Sequence, residues 1–326
     1  MRPKAIQYAQ DLPVEAFVRN ISSYPYHWHK AVEIIYVMEG SVFVCLGNKT
    51  HLLKEHNLAV INSDEPHFIR KNSETHKLLI LLIDADFCAR VIPDYQHAFI
   101  YCRSPQQESK APEKYRVLKE QITRLVVHLN NKSESPKNHD KYYKNSKKYN
   151  KEQGVKDCLK EMLVYLLDNF DYMRFGSGTV PFDQKQAKRI KKIAEHIQNR
   201  PSEKIGLKEL AEEVGVTLSH LSHDIKGKFG LSFREIMDYR RGMQAVKMLI
   251  GTDKAIAEIS SECGFSDPKY LIKYFKKAYH CTPSHFRKTY RADGNTLALQ
   301  VQYEEYPLAE ALRYLSVNQP EYHPLE

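Results

Sequence analysis

Between residues 32 and 83 the apolar positions fall in short runs, "VEIIYVM", "SVFVCL", "LAVI" and "KLLILLI". Gly40, "GNKT" and "NSDEP" separate them. Short β-branched runs divided by turn formers predict strands of an all-β sandwich or barrel. The period then changes. Tyr115, Leu118, Ile122, Leu125, Val126 and Leu129 recur at helical spacing, as do Leu159, Met162, Leu163, Leu166, Leu167 and Phe170. These stripes predict helices near 113–130 and 155–172, packed on the barrel or zipped into a dimer seam. The polar, aperiodic stretch 130–153 between them reads as a disordered loop. "FGSGTVPFD" has the Gly/Ser/Pro make-up of a linker, and from residue 185 the pattern is helical throughout.

The helical half contains a repeat. "LKELAEEVGVTLSHLSHDIKGKF" (207–229) and "IAEISSECGFSDPKYLIKYFKKAY" (256–279) align at an offset of 49 up to Gly215 and Gly264 and of 50 beyond. Each unit is a short helix, a glycine able to take the positive φ of a tight turn, and a second helix. Thr217 caps the second helix of the first unit; Asp267 caps its counterpart, with Pro268 at the first helical position. This is the helix-turn-helix plan, present twice. In the second unit Leu271 and Phe275 face inward, while Lys269, Lys273 and Lys276 line another face with Lys277 beside them.

Charge sharpens the picture. The chain is +9 overall. Residues 185–291 hold 22 Lys/Arg against 12 Asp/Glu, a net of +10, and residues 292–326 one Arg against six acids, a net of −5. A basic module beside a nearly neutral one points to a polyanion as partner of the first. Six scattered cysteines without a C-x2-C pair argue against a zinc ribbon or disulfide framework and fit a reducing cytoplasm. No window has the length and apolarity of a membrane span, and the N-terminus has no apolar signal-peptide core.

Residues 185–291 resemble the AraC/XylS-type regulator domain along their length. The landmarks are "LAEEVGVT", Lys226, Gly230, Arg241 with Ala245 four residues on, "GFSDPKY", "YFKK", and "TP" followed by "FR". The resemblance implies two helix-turn-helix units joined by a long helix at about 232–250. It places base reading at Ser219, Ser222 and His223 in the first unit, and at Pro268, Lys269 and Lys273 in the second, although a proline has no side-chain donor. Lys226, Arg241, Lys276 and Lys277 are the expected phosphate contacts. Ile225 stands where the family commonly has Phe, and His280 where it usually has Gly.

The neutral half has its own candidate chemistry in "YPYHWHKAVEIIYVMEG" (24–40). His27, His29, Glu33 and Gly40 resemble the first motif of the cupin barrel. His67 stands where the second motif brings a histidine, with His56 replacing that motif's opening glycine. The resemblance implies a sensor barrel in which His27, Trp28, His29, Glu33 and His67 bind a small-molecule effector, with a sugar as one class. By ligand type the same His27, His29, Glu33 and His67 are a 3-His/1-carboxylate metal set. No cofactor is expected; a divalent metal is the alternative.

The expected architecture is multidomain. It comprises an N-terminal all-β cupin-like barrel with flanking helices (1–110, then a helical pair over 111–174), a linker (175–184) and a C-terminal all-α DNA-binding domain (185–291). A solvated acidic extension (292–326) completes it, with "PLAEALRYL" as a short helix. The expected protein is a cytoplasmic, non-enzymatic, homodimeric regulator that binds double-stranded DNA and an effector, with RNA polymerase as a further partner. The rival reading is a cupin metalloenzyme with a helical accessory domain.

Overall fold

The computed structural model describes residues 12–46, 49–92, 98–130, 151–170, 206–229, 232–291 and 301–316, and single residues at 6, 8, 95 and 193. The expected linker and the loop interior 131–150 lie outside these.

Seven strands form the first half: β1 (Val14–His27), β2 (Val32–Glu39), β3 (Ser41–Leu46), β4 (Lys49–Lys54), β5 (Leu58–Ile61), β6 (His67–Lys71) and β7 (Lys77–Ile83). They are antiparallel in the order β4-β3-β6-β1-β7-β2-β5, a sheet curled into a nearly closed barrel. β2 and β7 read as unbroken apolar runs because both their faces are covered. Ile35, Val37, Leu78, Ile80 and Leu82 fill the interior, whereas Ile34, Tyr36, Met38, Leu79 and Leu81 pack outward against helices. Gly40 turns β2 into β3 at φ 72°, where an added Cβ would lie 2.2 Å from the Thr75 carbonyl oxygen.

The helices covering that outer face are α1 (Ala85–Val91), α2 (Ser104–Gln107), α3 (Pro112–Asn130) and α4 (Lys151–Phe170). The stripes Tyr115/Leu118/Ile122/Leu125/Val126 and Leu159/Met162/Leu163/Leu166 are fully buried in one core with the barrel. They pack within the chain, as in the alternative of packing on the barrel.

The expectation of a solvated acidic extension is corrected over residues 301–316. The extension contributes β8 (Gln302–Tyr306), which pairs antiparallel with β1 from Val18↔Tyr306 to Ser23↔Gln302. A closing helix whose Ala311 and Leu315 enter the same core follows it. Arg19 holds Glu305 through Nε and Nη2 at 2.9 and 2.8 Å, and Lys77 holds Glu310 at 2.6 Å. The acids that read as a solvated tail are thus partners of the barrel's own cations.

The C-terminal half is helical: α5 (Leu207–Glu213), α6 (Leu218–Phe229), α7 (Phe233–Gly251), α8 (Ile256–Glu262), α9 (Pro268–Tyr279) and α10 (Pro283–Tyr290), ahead of the closing helix α11 (Glu310–Ser316). The repeat holds in three dimensions. Gly215 and Gly264 take φ of 71° and 82°. Val216 N–H donates to the Ala211 carbonyl as Phe265 N–H does to Ser260, at 3.0 and 2.9 Å. Leu221 and Leu271, and Ile225 and Phe275, are buried at equivalent places. α7, opened by a Ser232–Glu235 capping box, joins the two units.

Candidate functional site

Two sites and a seam between them emerge. The first is at one end of the barrel. Glu33 continues the inward register of Ile35 and Val37, and His67 that of Ile69. β1 and β6 pair His27 with His67 after an irregularity beyond Tyr24, and the segment after His27 brings His29 back inside. Donor atoms of His27, His29, Glu33 and His67 all lie within 4.8 Å of one another. His29 Nε2 is 2.9 Å from Glu33 Oε2. His67 Nε2 is 3.1 Å from the same oxygen, yet buried without a hydrogen-bond partner.

The remaining ring nitrogens face main-chain carbonyls: His27 Nδ1 faces Pro25 (2.9 Å), His29 Nδ1 faces Ala31 (3.2 Å) and His67 Nδ1 faces Glu65 (2.9 Å). Burial, with His67 alongside, holds the His27 imidazole well below its usual pKa. At His67 the Glu33 carboxylate outweighs the burial penalty and raises the pKa. At Glu33 burial is likewise outweighed, by the imidazoles of His67 and His29, and the carboxyl is held well below its ordinary range.

Trp28 does not join this cluster. It belongs instead to a buried cluster that includes Ala245, Val246, Met248 and Leu249 of α7, with Lys247 Nζ 5.8 Å from its ring centre. His56 sits in the left-handed region at φ 66°, which explains the glycine usual there; Tyr36 Oη lies 3.1 Å from its Nδ1.

The second site is the exposed face of the two repeat units, where the sequence leads us to expect DNA contacts. Ser219, Ser222, His223 and Lys226 are exposed on α6, and Lys269, Lys273, Lys276 and Lys277 on α9. Asp267 accepts the Lys269 amide at 2.7 Å, and Thr217 accepts that of His220 at 3.2 Å, so both expected caps form. Arg241 is half-buried on α7, where burial lowers its pKa against the pull of Asp238. His280 ends α9 in the left-handed region at φ 55°.

The seam was not legible beforehand. Asp64 and Glu65, in the turn before His67, reach α7: Lys247 Nζ lies 3.4 Å from Asp64 Oδ1, and Tyr239 Oη–H donates to Glu65 Oε1 at 2.8 Å. Glu65 is buried, accepting also from Asn62 N and Nδ2, both at 2.9 Å, and from Arg103 Nη2 at 3.4 Å. Alongside runs a groove of about 420 Å³ lined by Tyr26, Phe68, His51, Lys49, Tyr279 and Tyr290, among others. "NSDEP" carried only the signature of a turn; nothing in the pattern marked its acids as contacts of a helix some 175 residues on.

Residues 18–137 match the AraC-like ligand binding domain, and residues 210–289 a helix-turn-helix domain. The chain is 29% identical over 139 residues to the regulatory protein PocR of Salmonella typhimurium, covering 41% of this chain and 45% of PocR. It is 30% identical over 92 residues to the xylose operon regulatory protein of Escherichia coli K12, covering 28% and 24% of the two chains. With the lactose operon transcription activator of Staphylococcus xylosus the identity is 31% over 98 residues, covering 30% and 35%. The matches thus span less than half the length of each of these relatives. Among solved structures, apo ToxT of Vibrio cholerae gives a TM-score of 0.40 at 14% identity over 85% of this chain and 97% of its own.

Proposed function

The chain belongs to the AraC/XylS family of regulators, and we propose that it is a sequence-specific DNA-binding transcription regulator whose C-terminal half answers to an occupant of the barrel. The observation that carries this reading is the pair of helix-turn-helix units with matching turns and exposed polar and basic second helices. Lys269 and Lys273, exposed on the capped helix α9, are the proposed readers of guanine O6/N7, and Lys226, Lys276 and Lys277 the proposed phosphate contacts. Ser219, Ser222 and His223 are weaker donors, so the first unit reads through water and groove shape as well as directly.

His27, Trp28, His29, Glu33 and His67 are the proposed sensing end, because the first and last of them flank the turn and the ring that touch α7. Relatives named for xylose and lactose operons make a sugar the first small-molecule class to test. The groove at the seam has the volume and the aromatic walls for one. Binding as a homodimer to paired half-sites, contact with RNA polymerase, a cytoplasmic location and the absence of catalysis belong to the same proposal. Among the described residues no helix is long and apolar enough to cross a membrane. A dimer would have to use surfaces other than the inner stripes of α3 and α4.

The test is selection of bound duplexes from random DNA by the full chain. Enrichment of a motif with two half-sites supports the proposal, and a pool that stays random refutes it.

A further inference from the structure

The barrel end also shows what kind of occupant it is built for. We propose that His27, His29, Glu33 and His67 hold one divalent transition-metal ion, and that its presence is transmitted to α7 through Trp28 and the 62–67 turn. The second half of this rests on the regulatory reading above. The first half stands alone and departs from the expectation that no cofactor is needed.

The argument starts from donors and acceptors. A carbonyl oxygen can only accept, so the contacts to Pro25, Ala31 and Glu65 put the N–H of each neutral imidazole on Nδ1. Each Nε2 is then the nitrogen turned into the cluster. Two of them lie 2.9 and 3.1 Å from the same Glu33 carboxylate oxygen, so a positive charge, a proton or a metal ion, belongs between them. A metal ion satisfies all three nitrogens and the carboxylate at once. Backbone carbonyls holding the far nitrogen are also what orients metal-binding histidines and raises their basicity.

His67 Nε2 is the clearest sign, being buried, aimed into the cluster and unpartnered. A span of 4.8 Å across four donor atoms matches the shell of a single ion and is too tight for a sugar ring. Three imidazoles and a carboxylate suit Mn, Fe, Co, Ni or Zn.

The ligands share their backbone with the seam. Trp28 lies between His27 and His29 and packs on α7. Asp64 donates its amide to the His29 carbonyl at 2.8 Å while its carboxylate meets Lys247. Glu65 orients His67 with its carbonyl and accepts from Tyr239 with its carboxylate. Ordering four ligands around an ion therefore orders both contacts made with the helix that joins the two DNA-reading units.

The experiment uses the full chain, stripped with a chelator and titrated with Mn²⁺, Fe²⁺, Co²⁺, Ni²⁺ or Zn²⁺. Metal content is measured after gel filtration. Trp28, the sole tryptophan, reports proximity through quenching by Co²⁺. The expected result is about one equivalent of at least one ion, with quenching, and at least a tenfold loss of affinity in Glu33→Gln and His67→Ala. Cooperative melting shows whether each variant is folded, and Glu33→Gln alone decides if His67→Ala is not. No stoichiometric ion, or equal binding by folded Glu33→Gln, overturns the site.

On a selected duplex, loading is expected to change affinity about fivefold or more, and Tyr239→Phe to shrink that change. A bound ion with no effect on duplex affinity overturns the transmission and leaves the site standing. Failure to bind any duplex, loaded or stripped, refutes the regulatory reading, and the site then stands or falls on the metal content alone.

Discussion

Replacing Glu65 with Ala strikes the point where the barrel meets the helix-turn-helix half. The carboxylate is 1% exposed and accepts from Asn62 N, Asn62 Nδ2, Tyr239 Oη and Arg103 Nη2. Its loss strands an arginine that is only 2% exposed. Breaking a buried ion pair from one side typically costs about 3–5 kcal/mol, because the remaining charge keeps its desolvation penalty. Arg103 also donates to the Val60 and Cys102 carbonyls, so part of its need is still met. The lower end, about 3 kcal/mol, is therefore expected. That is a large share of a typical domain's 5–15 kcal/mol or so. Tyr239→Phe removes one hydrogen bond to a charged group and should cost about 1.5 kcal/mol, confined to the seam. The assay is urea unfolding followed both by circular dichroism and by Trp28 emission, which reports the seam. In Tyr239→Phe the emission change should come at lower urea than the loss of ellipticity; in Glu65→Ala both midpoints should fall. Glu65→Ala within about 0.5 kcal/mol of wild type, a change typical of uncoupled surface sites, would refute the reasoning.

Other positions give independent checks. Gly40→Ala combines a positive φ with overlap on the Thr75 carbonyl, and thermal unfolding should show a loss of about 2 kcal/mol or more. His280→Gly relieves an exposed non-glycine residue in the left-handed region, so it should raise stability by about 0.5–1 kcal/mol in the same assay. Deleting residues 301–326 removes β8 from β1 and Ala311 and Leu315 from the core. Light scattering and melting should show aggregation and a loss of at least about 2 kcal/mol.

Much of this was legible because it is local. The repeat, its glycines and its caps depend on neighbours within a few residues, and Gly215, Gly264, Thr217 and Asp267 all perform as the spacing predicts. The histidine quartet was readable through its resemblance to the cupin motif, and the pairing of His27 with His67 across β1 and β6 brings it together. β1, β4 and β6 escaped the reading because their half-buried faces mix polar and apolar residues. β8 escaped because "QYEEY" is acidic and edge-like, and its partners on β1, Arg19 among them, are far away in sequence. The seam was invisible for the same reason, since Glu65 and Tyr239 are 174 residues apart.

The most direct measurement is fluorescence anisotropy of the full chain on a selected duplex at 50 and 200 mM salt, with Lys273→Ala in parallel. Four phosphate contacts from Lys226, Arg241, Lys276 and Lys277 give a log–log salt slope of about −3.6, hence roughly a hundredfold weakening over that range. Lys273→Ala should weaken the selected duplex by about 1–3 kcal/mol and leave random duplex nearly unchanged. Binding that ignores salt, or a Lys273→Ala chain that keeps full preference for the selected sequence, would contradict the account.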